Sequence, residues 1–388
     1  MSYDLLDHLD LSGKAVLVRL DLNVPLSEGR ITDQTRLERS LPTVSMLRQR
    51  GARVTICTHL GRPKGKVVPQ LSLSVLIPAI CEILGETVTL RAIGETSEAP
   101  LTLLENLRFD PREEKNDPLF AQELARGQDL FISDAFSCAH RAHASTHAIA
   151  KILPSYAGPL MHQEISALSQ ALSTGKRPMV ALVGGAKVSS KLMVLENLVN
   201  KVDYLIIGGG MANTFLAAQG VEIGRSLCEH DLLVQARAIQ EKASLAGCKI
   251  ILPQDAQVAT ACAPDAQAMT VPIDQVPQDM MILDIGAQSS AEQMMILSQA
   301  ATLLWNGPLG VFECPPFDMG TVAVARYAAD CVARGSLGAI AGGGDTIAAL
   351  KHAEVLDKFT YVSTAGGAFL EWLEGKELPG VKVLAEQA

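Results

Sequence analysis

The segment Val183-Gly184-Gly185-Ala186-Lys187-Val188-Ser189-Ser190-Lys191 sets paired glycines just ahead of two lysines four residues apart. Bare backbone amides followed by cations are the parts of a phosphate site. The spacing fits neither G-x-x-x-x-G-K-[ST] nor G-x-G-x-x-G. An apolar stripe at Val188, Leu192, Leu195 and Val199 predicts a helix over 187–199. Lys187 and Lys191 would then stand one turn apart on one side of it. Like charges at that spacing cost roughly 0.2–0.5 kcal/mol, and cations near the positive helix end about 0.3–1 kcal/mol each. A bound anion reverses both costs, whereas two lysines in bulk water bear them with little loss. The pair alone leaves both readings open.

Further glycine turns follow: "GGGMAN" at 208–213, "NGPLGVFE" at 306–313, "GGGDT" at 342–346 and "STAGGA" at 363–368. Asp345, after three glycines and before a helical stretch, suits an N-cap. It equally suits a partner for Mg²⁺, which takes only one or two carboxylates when it rides on phosphates. Neither "GGGMANTF" nor "TAGGAF" has the third glycine of the dinucleotide fingerprint, which argues against a nicotinamide enzyme. Several such turns on one sheet edge favour a nucleotide lying across them.

The first half of the chain carries a different set. Arg36, Arg62, Arg108 and Arg141 lie in or near loop-forming segments, with His59, His140 and His143 close by. Guanidinium forks match carboxylate and phosphate geometry, so a small polyanion would explain the clustering. "HRAHASTH" has no carboxylate or cysteine partner of the kind a zinc site needs. No serine flanked by glycines, cysteine–histidine pair or carboxylate couple stands out as nucleophile or base. Phosphoryl transfer to an alcohol wants a base. Transfer to a carboxylate, already ionised with a pKa near ~4, does not. Positioning and charge neutralisation would then be the whole of catalysis.

These residues must be held by something. Apolar runs of strand length recur, each followed by glycine or polar residues and a helix-period segment, which predicts β-α units on parallel sheets. The strands are expected at Ala15–Val18, Arg53–Thr58, Leu101–Leu104 and Leu130–Ser133 in the first half. In the second they fall at Met179–Val183, Tyr204–Ile207, Ile250–Leu252, Leu303–Trp305, Ala339–Ala341 and Tyr361–Ser363. Ligands of open parallel sheets sit beyond the strands' carboxyl ends. One half presents arginines and histidines there, and the other presents bare amides. A helix within 157–178, after Gly158-Pro159, is the expected connector, and the tail after Gly375 is too short to stand alone.

Bulk properties agree with a two-domain enzyme. The chain has 388 residues, 48% hydrophobic, and a net charge of −9. That charge argues against general nucleic-acid binding, which needs a broad cationic surface. No apolar run reaches membrane-span length, and the acidic start MSYDLLDHLD is unlike a secretory signal. The 8 cysteines show no C-x-x-C spacing and read as free thiols of a reducing cytoplasm.

The ordered segments "VRLDLNVP", "HLGRP", "LLENLRF", "DAFSCAHRAHAST", "LVGGAKVSSK", "GGGMANTFL", "WNGPLGVFE", "GGGDT" and "STAGGAFLEWLEGKELPGV" cover about residues 16 to 381. In them the chain resembles the phosphoglycerate kinase family. The resemblance implies an α/β fold of two Rossmann-like domains, each a mostly parallel sheet flanked by helices, joined by a hinge helix. It implies a phosphoglycerate-binding domain over 1–169 with the tail 374–388, and a nucleotide-binding domain over 170–373. The implied reaction is reversible phosphoryl transfer between 1,3-bisphosphoglycerate and Mg-ADP, giving 3-phosphoglycerate and Mg-ATP, in a cytoplasmic monomer that closes by hinge bending. Phosphoglycerate would be held by Asp21, Asn23, Arg36, His59, Leu60, Gly61, Arg62, Arg108 and Arg141. The catalytic set would be Arg36, Lys187, Lys191, Gly366 and Gly367. The nucleotide would meet Lys191, Gly208, Gly209, Glu313, Gly342, Gly343, Gly344, Asp345 and Thr346, with Asp345 serving the Mg²⁺. The chain departs from the family pattern at Ser137-Cys138, at Ala287 and at Ala365.

Overall fold

The strand Ala15–Arg19, AVLVR, is buried at every position, and so is Met179–Val183, MVALV. Parallel strands covered by helices on both faces read as continuous apolar runs of this kind. In the computed structural model, which describes residues 6–173, 175–263 and 266–387, the chain divides into two compact units. The first is Met1–Ile165 with Glu377–Ala388, and the second is Ser166–Lys376. The acidic start over 1–5, Thr174 of the connector and Ala388 of the tail lie outside the described residues.

The first unit is built on a six-stranded parallel sheet. Its order is Thr89–Arg91, Leu101–Leu104, Arg53–Cys57, Ala15–Arg19, Leu130–Ser133, Ser155–Ala157. The chain winds from the centre to one edge and then resumes on the other side, so the order reverses between Ala15–Arg19 and Leu130–Ser133. Val16, Val18, Ile56, Leu103 and Ile132 of the sheet pack with Leu37, Leu41 and Val44 of the helix Thr35–Gln49. Each such side chain contributes about 1.5–3 kcal/mol on burial. The tail helix Pro379–Ala385 belongs here too, its Val381, Val383 and Leu384 buried, with Gly380 N–H donating to Ala139 O at 2.9 Å.

The second unit repeats the plan. Its six parallel strands run Lys249–Ile251, Tyr204–Ile207, Met179–Val183, Thr302–Asn306, Gly338–Gly342, Tyr361–Ser363. The reversal falls between Met179–Val183 and Thr302–Asn306. The expected strands are present with ends moved by a residue or so. The sequence reading lacked the three-stranded antiparallel sheet of Met269–Pro272, Asp255–Ala259 and Met281–Ile285. Val258, Val271 and Val276 give that sheet a small core of its own. The connector is the helix Pro159–Ser173, and the boundary between the units falls within it.

Candidate active site

In the first unit the strand reversal lies where Ala15–Arg19 ends, and the residues that follow form one connected cluster. Asp21 accepts from Arg36 Nη1 and from Ser137 Oγ at 2.5 Å. Asn23 Oδ1 accepts the Gly61 N–H at 2.8 Å, and Arg108 Nη1 donates to Gly61 O at 2.9 Å. Asn106 holds the same loop by donating to Leu60 O at 2.8 Å. Asp21, Asn23, Arg36, Leu60, Gly61 and Arg108 are thereby tied together from two loops, the first turn of the helix Thr35–Gln49 and the 3₁₀ turn Leu107–Phe109. Arg62 and Arg141 stand exposed on the flanking segments.

Beneath this surface lies Arg19, 2% exposed, which the sequence reading did not single out. Its Nε donates to Ser145 Oγ at 2.9 Å and its Nη2 lies 3.0 Å from His59 Nδ1 and 3.6 Å from Cys138 Sγ. Ser145 Oγ in turn donates to the buried Glu113 at 2.5 Å. An arginine has no acceptor, so Nδ1 of His59 must be the acceptor and the ring proton sits on Nε2. Burial, with Arg19 close behind, drives His59 well below its ordinary value despite the opposing pull of Asp21. The imidazole is therefore neutral near pH ~7 and offers one N–H donor. Burial pushes the Asp21 carboxyl up, but the charge of Arg36, the Ser137 hydroxyl and Arg19 outweigh it and hold the group below its usual range.

Asp21, His59 and Cys138 bring three possible metal-ligand atoms within 4.8 Å of one another. Yet Arg19 already donates to the imidazole and the thiol, and Arg36 to the carboxylate. Guanidinium groups occupy the lone pairs a cation would need. The cluster is built to face an anion.

In the second unit the reversal point is where Lys191 ends up. The expected helix over 187–199 is corrected here: Val188–Ser190 is a single 3₁₀ turn, and the α-helix spans Leu192–Leu198. Lys191 has φ −133° and ψ 13°, outside helical values, because its side chain turns back to the sheet. Its Nζ donates to Gly184 O at 2.6 Å and Asn306 O at 2.9 Å, bridging the ends of the two central strands. Burial lowers its pKa to about 8, against the opposing charge of Asp345. Lys187 is exposed, so the two lysines differ in kind.

Glycine lets the backbones meet at this point. A Cβ on Gly184 would stand 1.8 Å from Pro308 O, and one on Gly209, at φ +65°, would stand 2.7 Å from Gly185 O. Beside them opens a cavity of about 270 Å³, walled by Gly185, Gly209 and Gly210, by Leu227, Met281, Leu283, Leu309 and Val311, and by Glu313 and Asp345. An apolar slot floored by glycine amides, with carboxylates among its walls, can take a flat base and a charged chain. Asp345 is exposed in the first turn of the helix Gly344–His352, a hard oxygen donor of the kind a phosphate-borne Mg²⁺ takes. Thr346 is used structurally: its hydroxyl donates to Gly342 O at 2.8 Å and accepts the Gly307 N–H at 2.7 Å. Gly208 N–H is likewise committed, to Val183 O at 3.0 Å. Gly343 adopts φ +101° at the turn. Gly366, at φ +55°, precedes the short helix that opens at Gly367, and the Ala365 amide donates to Ser363 Oγ at 3.2 Å.

Sequence reasoning also missed Asn213, which lines the cavity, and Asn306, whose Nδ2 donates to Gly342 O at 2.7 Å. In both, Oδ1 is buried without a partner among the described residues. Asp284 is 1% exposed at the back of the cavity, and burial raises it to about 7. The cue for such residues was a polar side chain inside an apolar strand or helix face, as at Arg19, Asp284 and Asn213.

Comparison with known proteins accords with this architecture. The family model for phosphoglycerate kinase matches residues 6–376. The chain is 54% identical to the phosphoglycerate kinase of Sinorhizobium fredii, with 100% of each chain covered, and 54% identical to that of Methylorubrum extorquens, with 97% of each covered. Among solved structures it is similar to phosphoglycerate kinase from Coxiella burnetii, at TM-score 0.96 and 44% identity over 100% of both chains. It is also similar to the enzyme from Pyrococcus horikoshii, at TM-score 0.80 and 30% identity over 98% of both. With its two parallel sheets, its cationic strand ends and its glycine-floored cavity, the chain belongs to the phosphoglycerate kinase family.

Proposed function

We propose that this chain transfers a phosphoryl group reversibly between 1,3-bisphosphoglycerate and Mg-ADP, giving 3-phosphoglycerate and Mg-ATP, by direct in-line displacement. The observation that carries the reading is a pair of unlike strand-end clusters, one of guanidinium groups around a neutral histidine and one of glycine turns around a half-buried lysine. Phosphoglycerate binds through Arg36, Arg62, Arg108 and Arg141, with the His59 Nε2–H and the Asn23–Gly61 loop fixing its orientation. The nucleotide base enters the 270 Å³ cavity, Glu313 meets the ribose, and the glycines at 208–209, 342–344 and 366–367 line the path of the phosphates.

The acceptor is a carboxylate, so no base is needed. Lys187, Lys191 and Arg36 neutralise charge spread over the equatorial oxygens of a loose transition state, which is where phosphoryl transfer gains most. Mg²⁺, when bound with the nucleotide, supplies charge neutralisation at the phosphates, and Asp345 is the residue that would hold it. Hinge closure brings the two substrates together and excludes water, suppressing hydrolysis. We read the protein as a cytoplasmic monomer. Eight free thiols suit a reducing compartment, and no described helix is long and apolar enough to cross a membrane. The test is a coupled assay of purified protein with 3-phosphoglycerate and Mg-ATP. Turnover that requires both supports the reading, and binding of both without turnover overturns it.

A further inference from the structure

Lys187 is extended, at φ −135° and ψ 130°, and stands at the N-cap of the 3₁₀ turn Val188–Ser190. A lysine side chain carries no acceptor, so it cannot take up the N–H groups that the first turn of a helix leaves open. Here the acceptor comes from 40 positions away. Glu229 Oε2 accepts the Ser189 N–H at 3.0 Å, and Glu229 Oε1 accepts the Ser189 hydroxyl at 2.6 Å. Glu229 is fixed in turn, its own N–H donating to Thr214 Oγ1 at 3.1 Å. Thr214 is buried in the helix Gly209–Ala218, whose start also grips the near end of the lysine segment. Met211 N–H donates to Gly185 O at 3.0 Å, and a Cβ on Gly210 would stand 2.6 Å from Ala186 O. One helix therefore holds the segment on both sides of Lys187, at Gly185–Ala186 directly and at Ser189 through Glu229.

Within the turn, Ser190 Oγ donates to the Lys187 carbonyl at 2.7 Å, and the Val188 side chain is buried. These contacts hold the backbone around Lys187, and none of them uses its exposed side chain. Burial pushes the Glu229 carboxyl up, and the Ser189 hydroxyl and N–H outweigh it, so the group is ionised near pH ~7. By charge alone a carboxylate beside a phosphate path would work against anion binding. What it supplies is placement.

We propose that Glu229 is a positioning residue for phosphoryl transfer: it caps the turn Val188–Ser190 from outside and so fixes where Lys187 presents its ammonium group. The consequence for transfer rests on the clamp role of Lys187 given above. A misplacement of about 1 Å can cost ~10²-fold in rate. Without Glu229 the segment keeps its bonds at Gly185 and Ser190 but swings at Ser189. Lys187 is then present but seldom in place.

The experiment compares the full chain with Glu229→Ala, Glu229→Gln, Lys187→Ala and the double variant Lys187→Ala/Glu229→Ala. Amide hydrogen exchange without substrate reads peptides over 187–191 against the strand Met179–Val183. Glu229→Ala should speed exchange in the first and leave the second alone. In turnover of 3-phosphoglycerate with Mg-ATP, Glu229→Ala should lower kcat about tenfold, the rate equivalent of one lost cap. KM for ATP should stay within about twofold. The Glu229→Gln amide can still accept the Ser189 N–H and donate to Ser189 Oγ, so it should recover most of the lost rate. In the Lys187→Ala background, Glu229→Ala should cost nothing more. Unchanged exchange over 187–191, an equal kcat loss in both backgrounds, or a Gln variant as slow as the Ala one overturns the proposal. A Lys187→Ala enzyme at wild-type kcat sinks the clamp reading instead, and exchange then decides alone whether Glu229 holds the turn.

Discussion

Arg19 Nη2 lies 3.0 Å from His59 Nδ1, and that contact fixes the imidazole as a neutral donor through Nε2. The arginine is itself held by Ser145, which links it to Glu113. Removing one member of a buried charged network leaves the others unpaired, at about 3–5 kcal/mol. Arg19→Met should cost that much in equilibrium denaturation, and adding Glu113→Gln should recover part of it. If the double variant is as unstable as the sum of the single ones, the two residues are not coupled.

The same contact gives a pH signature. His59 is depressed well below 6.5 in the folded chain, and burial takes His143 to about 4. Below about 6.5 the unfolded chain binds protons that the folded chain refuses, so stability rises with pH through this range. The contribution is present above the unfolded value and lost as pH falls towards the folded ones. The two histidines therefore pull the melting temperature down between pH 6.5 and 4, against Asp134 and Asp284, whose carboxyls burial raises to about 6 and about 7; His59→Asn should remove part of the histidine contribution to that limb. An unchanged limb would assign the acid loss to other groups.

Lys191 makes a prediction at the other end of the scale. With its pKa lowered to about 8, it is partly deprotonated in mildly alkaline solution. A phosphate placed beside it raises that value again, so ADP binding near pH 8 should take up protons. Affinity is full below that pH and falls as pH rises through it. Calorimetry in two buffers of different ionisation enthalpy measures the uptake, and Lys191→Met should abolish it.

Kinetic variants separate clamping from holding. Arg36→Ala and Lys187→Ala should mainly lower kcat, by ~10³-fold, as for other phosphoryl clamps. Arg62→Ala and Arg108→Ala should mainly raise KM for phosphoglycerate. An Arg36→Ala enzyme with normal kcat and weakened substrate binding would refute its transition-state role.

Gly184→Ala tests the strand-end geometry directly. The added methyl would lie 1.8 Å from Pro308 O, a backbone atom that cannot rotate away. Overpacking costs about 1–3 kcal/mol and sometimes more, and the shift would move the carbonyl that Lys191 holds. Lower melting temperature together with weaker ADP binding is the expected pair. A stable variant with native affinity would show that the turn yields elsewhere.

The central strands could be read directly because runs such as AVLVR and MVALV have to be buried on both faces. The glycine turns could be read because their residue type carries the conformation. Long-range polar contacts were hidden. Arg19 meets Ser145 across 126 positions of sequence, and nothing local at either residue announces the partner. Lys187 and Lys191 were misread together because helical periodicity at Val188, Leu192 and Leu195 is blind to a tertiary bond. The pull of Gly184 O and Asn306 O on Lys191 breaks the first turn that the pattern predicts. The antiparallel strand Met269–Pro272, mostly exposed, lacks the apolar signal on which strand prediction depends.

The helix Pro379–Ala385 is sewn into the first unit, through Gly380 to Ala139 and through Gln387, whose side chain accepts the Ser155 N–H at 3.1 Å. A ribosome making this chain therefore releases the entire second unit before it supplies the last piece of the first. The later-made body can mature during translation, whereas the earlier-made one waits for the helix Pro379–Ala385 to emerge. Chains cut before Pro379 should consequently have the first unit as their protease-sensitive part.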